Sequence, residues 1–192
     1  MRGSPVQVRH GPLYNILMPI RYPVPFFSQY SDIKSHLWQY RGCGIVALKM
    51  ILDFWHKNNK DLPSPAVENL LKEGLTAGAY IKDIGWSHSG LVEIGKKFGY
   101  SGYNKDLAHI PVQEAWEEFN NDLKKYPIMA SVYKRLNPKT KAGHIVVITG
   151  IDDSNLYLND PLEGNEERGR QVIPIQQFID GWKQRYIVVH PR

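Results

Sequence analysis

Residues 143–161 read Gly-His-Ile-Val-Val-Ile-Thr-Gly-Ile-Asp-Asp-Ser-Asn-Leu-Tyr-Leu-Asn-Asp-Pro. The stretch 144–151 is dense in β-branched residues, which suit a pleated, buried strand. Asp152, Asp153, Ser154 and Asn155 form a turn signal. Residues 156–159 then read as the returning strand. An antiparallel return sets the head of the first strand beside the end of the second. His144 and Asp160 are therefore expected to be neighbours.

Working outward, residues 128–133 read as a further short apolar strand, and 186–189 as a last one. A short helix is expected over 175–182. Upstream the pattern changes. Val46, Ala47, Met50, Ile51 and Phe54 recur with a period of 3.6, so residues 43–55 read as a buried helix ended by Asn58 and Asn59. A second helix is expected over 64–73, with Ser64 as cap and Pro65 at its first position. A third is expected over 90–98, stopped by Gly99, and a fourth over 112–125. Residues 21–29 read as extended, because Pro23 and Pro25 oppose helix. Trp55 and Trp182 are expected in the core. Helices precede strands, so the fold class is α+β, with N-terminal helices packed on a C-terminal antiparallel sheet.

The chain has 192 residues, of which 42% are hydrophobic and 22% charged, which excludes long-range disorder. Residues 1–17 carry no periodicity and lack the apolar segment of a secretory signal, so they read as a flexible or non-native arm. Residues 18–192 read as one domain. No apolar run reaches the ~18–20 residues of a membrane span, and the default expectation is a cytoplasmic protein. A single cysteine excludes an intramolecular disulfide and a zinc site of several thiolates. The net charge of +5 comes from scattered residues rather than from a run or stripe, so nucleic acid is not an expected partner. His36, His56, His109 and His190 stand isolated and show no metal-ligand spacing. No metal or cofactor is expected.

Cys43 lies between Gly42 and Gly44 and opens the most apolar helix. A thiol there feels the positive end of the helix, which favours the thiolate, and the glycines leave its sulfur approachable. Joined with the expected His144–Asp160 pair, this makes a nucleophile–base–orienter set for acyl transfer. Residues 85–90, Gly-Trp-Ser-His-Ser-Gly, read as a loop before a helix, with a cleft wall as the other reading.

The segments Val24-Pro25-Phe26-Phe27-Ser28-Gln29, Gly42-Cys43-Gly44, residues 143–150 and Leu158-Asn159-Asp160-Pro161 stand in a specific order and spacing. Together they resemble the bacteriocin-processing, C39-like family of papain-like cysteine peptidases, over residues 24–189. The resemblance implies a papain-like fold, Cys43 as nucleophile, His144 as base and Asp160 as orienter. It also implies a glutamine whose amide helps form the oxyanion hole. Family members often place that glutamine six residues before the cysteine, where this chain has Leu37. The role is carried to Gln29, with an insertion between, while Gln39 stands four residues upstream. Ile45 stands where the family often has proline. The expected substrate is a peptide or protein, cleaved at a peptide or isopeptide bond through a thioester. An amidase or transpeptidase of the same fold, and a catalytically silent domain binding peptides or cell-wall material, are the alternatives.

Overall fold

The computed structural model describes residues 19–192, so the arm expected over 1–17 lies outside the described residues. A short strand β1 (Ile20–Arg21) is the first described element, followed by an extended segment and a short helix α1 (His36–Gln39). Three helices carry the first half: α2 (Cys43–Asn58), α3 (Val67–Thr76) and α4 (His88–Lys97). A small hairpin, β2 (Tyr80–Ile81) and β3 (Gly85–Trp86), interrupts them. The rest runs β4 (Tyr100–Asp106), α5 (Val112–Leu123), β5 (Ile128–Tyr133), β6 (Gly143–Ile151), β7 (Asn155–Asn159), α6 (Glu166–Gly169), β8 (Arg170–Pro174), α7 (Ile175–Gly181) and β9 (Trp182–Pro191).

The main sheet has the order β4-β9-β5-β6-β7-β8, with β1 added on β6, and all its pairings are antiparallel. Its central strands, β5, β6 and the 186–189 part of β9, are buried on both faces. Ile145, Val147, Met129, Ile187 and Val189 face a core built with α2, α3 and α4. Val146, Ile148, Ala130, Val132, Tyr186 and Val188 face a second core built with α5 and α7. That division follows the two-residue period of a strand. It explains why β6 reads as a continuous apolar run, since neither face meets water.

Some boundaries differ from the sequence expectations, for identifiable reasons. The second helix starts at Val67, not Ser64. The Ser64 hydroxyl is committed to Asp53 Oδ1 at 2.5 Å and accepts from Lys49 Nζ at 3.1 Å, so it does not cap. The third helix begins at His88 because Ser87 is its cap, its side chain accepting from the Gly90 N–H. Gly99 then ends it with φ 86°, a left-handed conformation that glycine adopts without steric cost. The helix expected to 125 ends at Leu123, and the last strand extends from Trp182 to Pro191. Strand β4 stands among the helices, so the segregation of helices before strands is incomplete.

The extended segment straps the end of the β6–β7 hairpin. The Tyr22 N–H donates to Thr149 O at 2.7 Å, and the Gln29 N–H donates to Pro161 O at 2.9 Å. Asn159, 1% exposed, donates its side-chain amide to Pro25 O at 3.2 Å and Val24 O at 3.4 Å. Replacing Asn159 by alanine leaves these carbonyls buried beside a small void. We expect Asn159→Ala to cost about 1–3 kcal/mol, read as a fall in Tm of ~2–4 °C per kcal/mol. An unchanged thermal midpoint would mean that the strap is held without Asn159.

Candidate active site

Cys43 is the first residue of α2, behind Gly42, which has no side chain to cap the helix. The first N–H groups of a helix have no partner within it. The sulfur exploits this, meeting the Gly44 N–H from its own first turn and the Ile145 N–H from β6. The helix end is thus pushed end-on against the start of a strand. His144 precedes Ile145 on that strand and is buried. Its Nε2–H donates to Asp160 Oδ1 at 2.6 Å, which leaves Nδ1 for its hydrogen bond with Cys43. Asp160 follows β7 directly. One step past the Val147–Asn159 pairing, it falls diagonally across from His144 on the same face. Asp160 Oδ1 also accepts the Leu162 N–H at 2.8 Å, and its own N–H donates to Gly169 O at 2.8 Å.

The electrostatics follow from this packing. Burial alone would raise the Cys43 thiol, but the hydrogen bond and charge of His144, with the two N–H groups, hold it below its ordinary value. Burial likewise disfavours a charged His144, yet hydrogen bonds to Asp160 and Cys43 raise it well above the usual imidazole range. Burial opposes the Asp160 charge, and the His144 hydrogen bond outweighs it and lowers that carboxyl. All three groups are therefore biased toward their charged forms, as an alternating row of minus, plus and minus.

The three sequence-predicted residues Cys43, His144 and Asp160 are brought together. Gln29 is placed differently. It is 2% exposed, and its Nε2 donates to Gln39 O at 2.7 Å, while Oε1 is buried without a partner. Gln39 turns its own amide to Ile33 O at 2.8 Å. A cleft of about 430 Å³ opens over Cys43 and His144, and Gln29 is not among the described residues lining it.

One wall of that cleft is the β2–β3 hairpin, through Tyr80, Ile84, Gly85 and Trp86, with His88 beside it. The segment 85–90 thus supplies cleft wall as well as helix start. Trp86 seats the hairpin: its Nε1 donates to Arg41 O at 2.6 Å, and its ring packs against those of Tyr80 and Trp38. A side chain at Gly44 would meet Trp86 Cβ at 3.0 Å, so α2 and the hairpin touch without a gap. Lys183 and Arg185 of β9 also line the cleft, and nothing in the sequence singled them out. Burial and the Arg185 charge lower both the Lys183 amine and the His88 imidazole. Among the described residues no group of three or more His, Cys, Asp or Glu is placed to hold a metal ion, and no helix is long and apolar enough to cross a membrane.

This architecture has relatives. A double glycine motif protease from an AMS/PCAT transporter, crystallised in complex with the leader peptide, is 17% identical. The alignment covers 91% of this chain and 98% of that one, with a TM-score of 0.59. A Bacillus anthracis protein described as a C39-like peptidase is 16% identical, with the same coverages and a TM-score of 0.63. The peptidase domain of Streptococcus ComA, a bi-functional ABC transporter of a quorum-sensing pathway, is 20% identical. There 80% of this chain and 93% of that one align, with a TM-score of 0.57. These likenesses establish the papain-like fold. No curated protein matches the sequence. Residues 22–188 match the Peptidase_C39 like family, and the chain belongs to it. It is a papain-like cysteine peptidase, a hydrolase.

The perturbed pair has a measurable signature. Iodoacetamide should alkylate Cys43 at pH 6, where an ordinary thiol is below ~1% ionised. The rate should fall only as pH drops through the lowered thiol pKa. His144→Ala removes the cation and leaves burial to act, so its rate at pH 6 should be at least about tenfold lower. Equal rates in the two proteins would separate Cys43 from His144.

Proposed function

We propose that the chain hydrolyses a peptide or isopeptide bond in a peptide or protein substrate, with Cys43 as nucleophile, His144 as proton carrier and Asp160 as orienter. The observation that carries this reading is the row of Cys43, His144 and Asp160, in which each group shifts the next toward its charged form. That the transporter protease was crystallised with a leader peptide supports a peptide as substrate.

The steps follow from the geometry. The Cys43 thiolate attacks the carbonyl carbon, and the carbonyl π electrons move to oxygen. The Cys43 N–H, at the open end of α2, donates to that oxyanion. The His144 imidazolium then gives its proton to the leaving amine as the carbon–nitrogen bond breaks, leaving a thioester. Neutral His144 next takes a proton from water, whose oxygen attacks the thioester and releases the acid and the thiolate. Asp160 keeps Nε2 protonated throughout, so that Nδ1 is the nitrogen that exchanges protons with the reacting groups.

Gln29 is the second oxyanion donor in this reading. Its amide nitrogen carries two hydrogens, and the Gln39 carbonyl takes one. Because Gln29 does not line the cleft, the other reaches a substrate oxygen only when the side chain turns toward Cys43.

Cys43→Ala should abolish turnover of any substrate with the circular-dichroism spectrum and Tm retained, because no other group can form the thioester. Asp160→Asn should be less damaging, since its amide oxygen can still accept from Nε2. Full turnover by Cys43→Ala would end the peptidase reading.

Gln29→Ala should lower turnover by ~10²–10³. Cys43 alkylation should hardly change, because that reaction builds no oxyanion. Gln39→Ala, whose side chain serves only Ile33 O, should be nearly silent. The reverse ranking would move the oxyanion role from Gln29 to Gln39.

A further inference from the structure

Strand β9 leaves its regular pairing at the mouth of the cleft. Ser131 pairs with Arg185 and Val132 with Trp182, so Lys183 and Gln184 are accommodated by a single step of β5. Such a bulge bends a strand and re-aims its side chains. The backbone bears the consequence at Gln184, a non-glycine residue with φ 53°. The Gln184 carbonyl accepts from Leu107 N at 2.8 Å, and its side chain donates to Ile110 O at 3.2 Å, which pins the distortion.

Lys183 is the side chain re-aimed. Its Nζ stands 4.7 Å from the centre of the Tyr133 ring. It also lies 3.3 Å from the point where a Cβ on Gly143 would sit. Lys183 and Gly143 line the same cleft as Cys43 and His144, so the ammonium shares that cleft with the reacting pair, in a space left by a missing side chain. Among the described residues no carboxylate lies within ion-pair distance of it, whereas its neighbour Arg185 is held by Asp106 at 2.8 Å. Asp83 is the only carboxylate among the described lining residues, against Arg41, Lys183 and Arg185. A half-buried cation with no ion-pair partner among the described residues, held by a pinned bulge, is suited to bind an anion.

We infer that Lys183 binds a carboxylate of the substrate beside the scissile bond, so that this peptidase selects acidic peptides. The inference rests on the peptidase reading above for the identity of the bond cut. The carboxylate is either an Asp or Glu side chain or the terminal carboxylate of the peptide.

Two charge-matched reagents test the site without turnover. Iodoacetate and iodoacetamide alkylate the same thiolate, so the ratio of their rates cancels any change in thiolate population. The folded protein at low salt should show a ratio higher than that of the same chain in urea. In Lys183→Met the ratio should fall by roughly five- to tenfold, and in Lys183→Glu further. A ratio unchanged in both variants would overturn the assignment.

Cleavage of a proteome-derived peptide library then identifies the source. Asp or Glu enriched at one position near the cut, and lost in Lys183→Met, marks a side-chain carboxylate. Cuts at a fixed distance from the free carboxyl end, abolished by amidation, mark the terminal one. Cleavage whose acidic preference survives in Lys183→Met, or that has none in the wild type, would overturn the inference. An uncut library counts against the peptidase reading, and the alkylation ratio still decides the role of Lys183.

Discussion

The hydrogen bond from His144 Nε2 to Asp160 Oδ1 is the constraint around which the rest of the molecule is arranged. A buried imidazole beside a thiol would stay neutral if only desolvation acted on it. The carboxylate reverses that balance. Once His144 is charged, the thiol opposite loses its proton more readily, and the helix end at Cys43 stabilises the resulting anion. Asp160 is itself kept in place from three sides. The turn gives it the Leu162 N–H, Gly169 holds its backbone, and the strap anchors the next residue through Pro161. Gly169 in turn has no side chain because Phe26 of the strap occupies that space, with a ring carbon 1.9 Å from where a Cβ would be. The strap, the hairpin end and the short α6 thus converge on one carboxylate.

The two halves of the chain divide the work between charge and shape. The sheet contributes His144, Lys183 and Arg185, which set the polarity of the cleft. The helical half contributes the thiol, along with the aromatic wall of Tyr80 and Trp86. Gly44 lets those components meet, because any larger residue would lift Trp86 off the first turn of α2.

Much of this was legible before any coordinates. Strand 128–133 is bounded correctly to the residue, because an apolar run between a lysine-rich turn and a charged loop has few other readings. The neighbourhood of His144 and Asp160 followed from a strand, a turn signal and a return. Strand β4, Tyr-Ser-Gly-Tyr-Asn-Lys-Asp, was not legible. It is polar and half-exposed, and its Gly102 exists to let the Val188 carbonyl approach. Strand β8 is a short edge with Pro174 at its end, and the β2–β3 hairpin has two residues a side. Neither is long enough to show a period. Ser64 looked like a cap because its nearest competitor, Asp53, lies eleven residues away in sequence and only tertiary contact reveals it. The place of Lys183 depends on a bulge, and no residue pattern announces one there.

The sheet order carries a consequence for when this chemistry comes into being. Strand β9 lies between β4 and β5, and β4 pairs with it rather than with β5. Residues 182–191 are therefore the keystone of a sheet whose other strands are made earlier. They also brace α2, since Trp55 Nε1 donates to Val189 O at 2.8 Å. Contacts that span so much of the sequence form late, because loop closure must come before they give any return. A chain still lacking those residues lacks the Lys183 and Arg185 side of the cleft and the brace on α2.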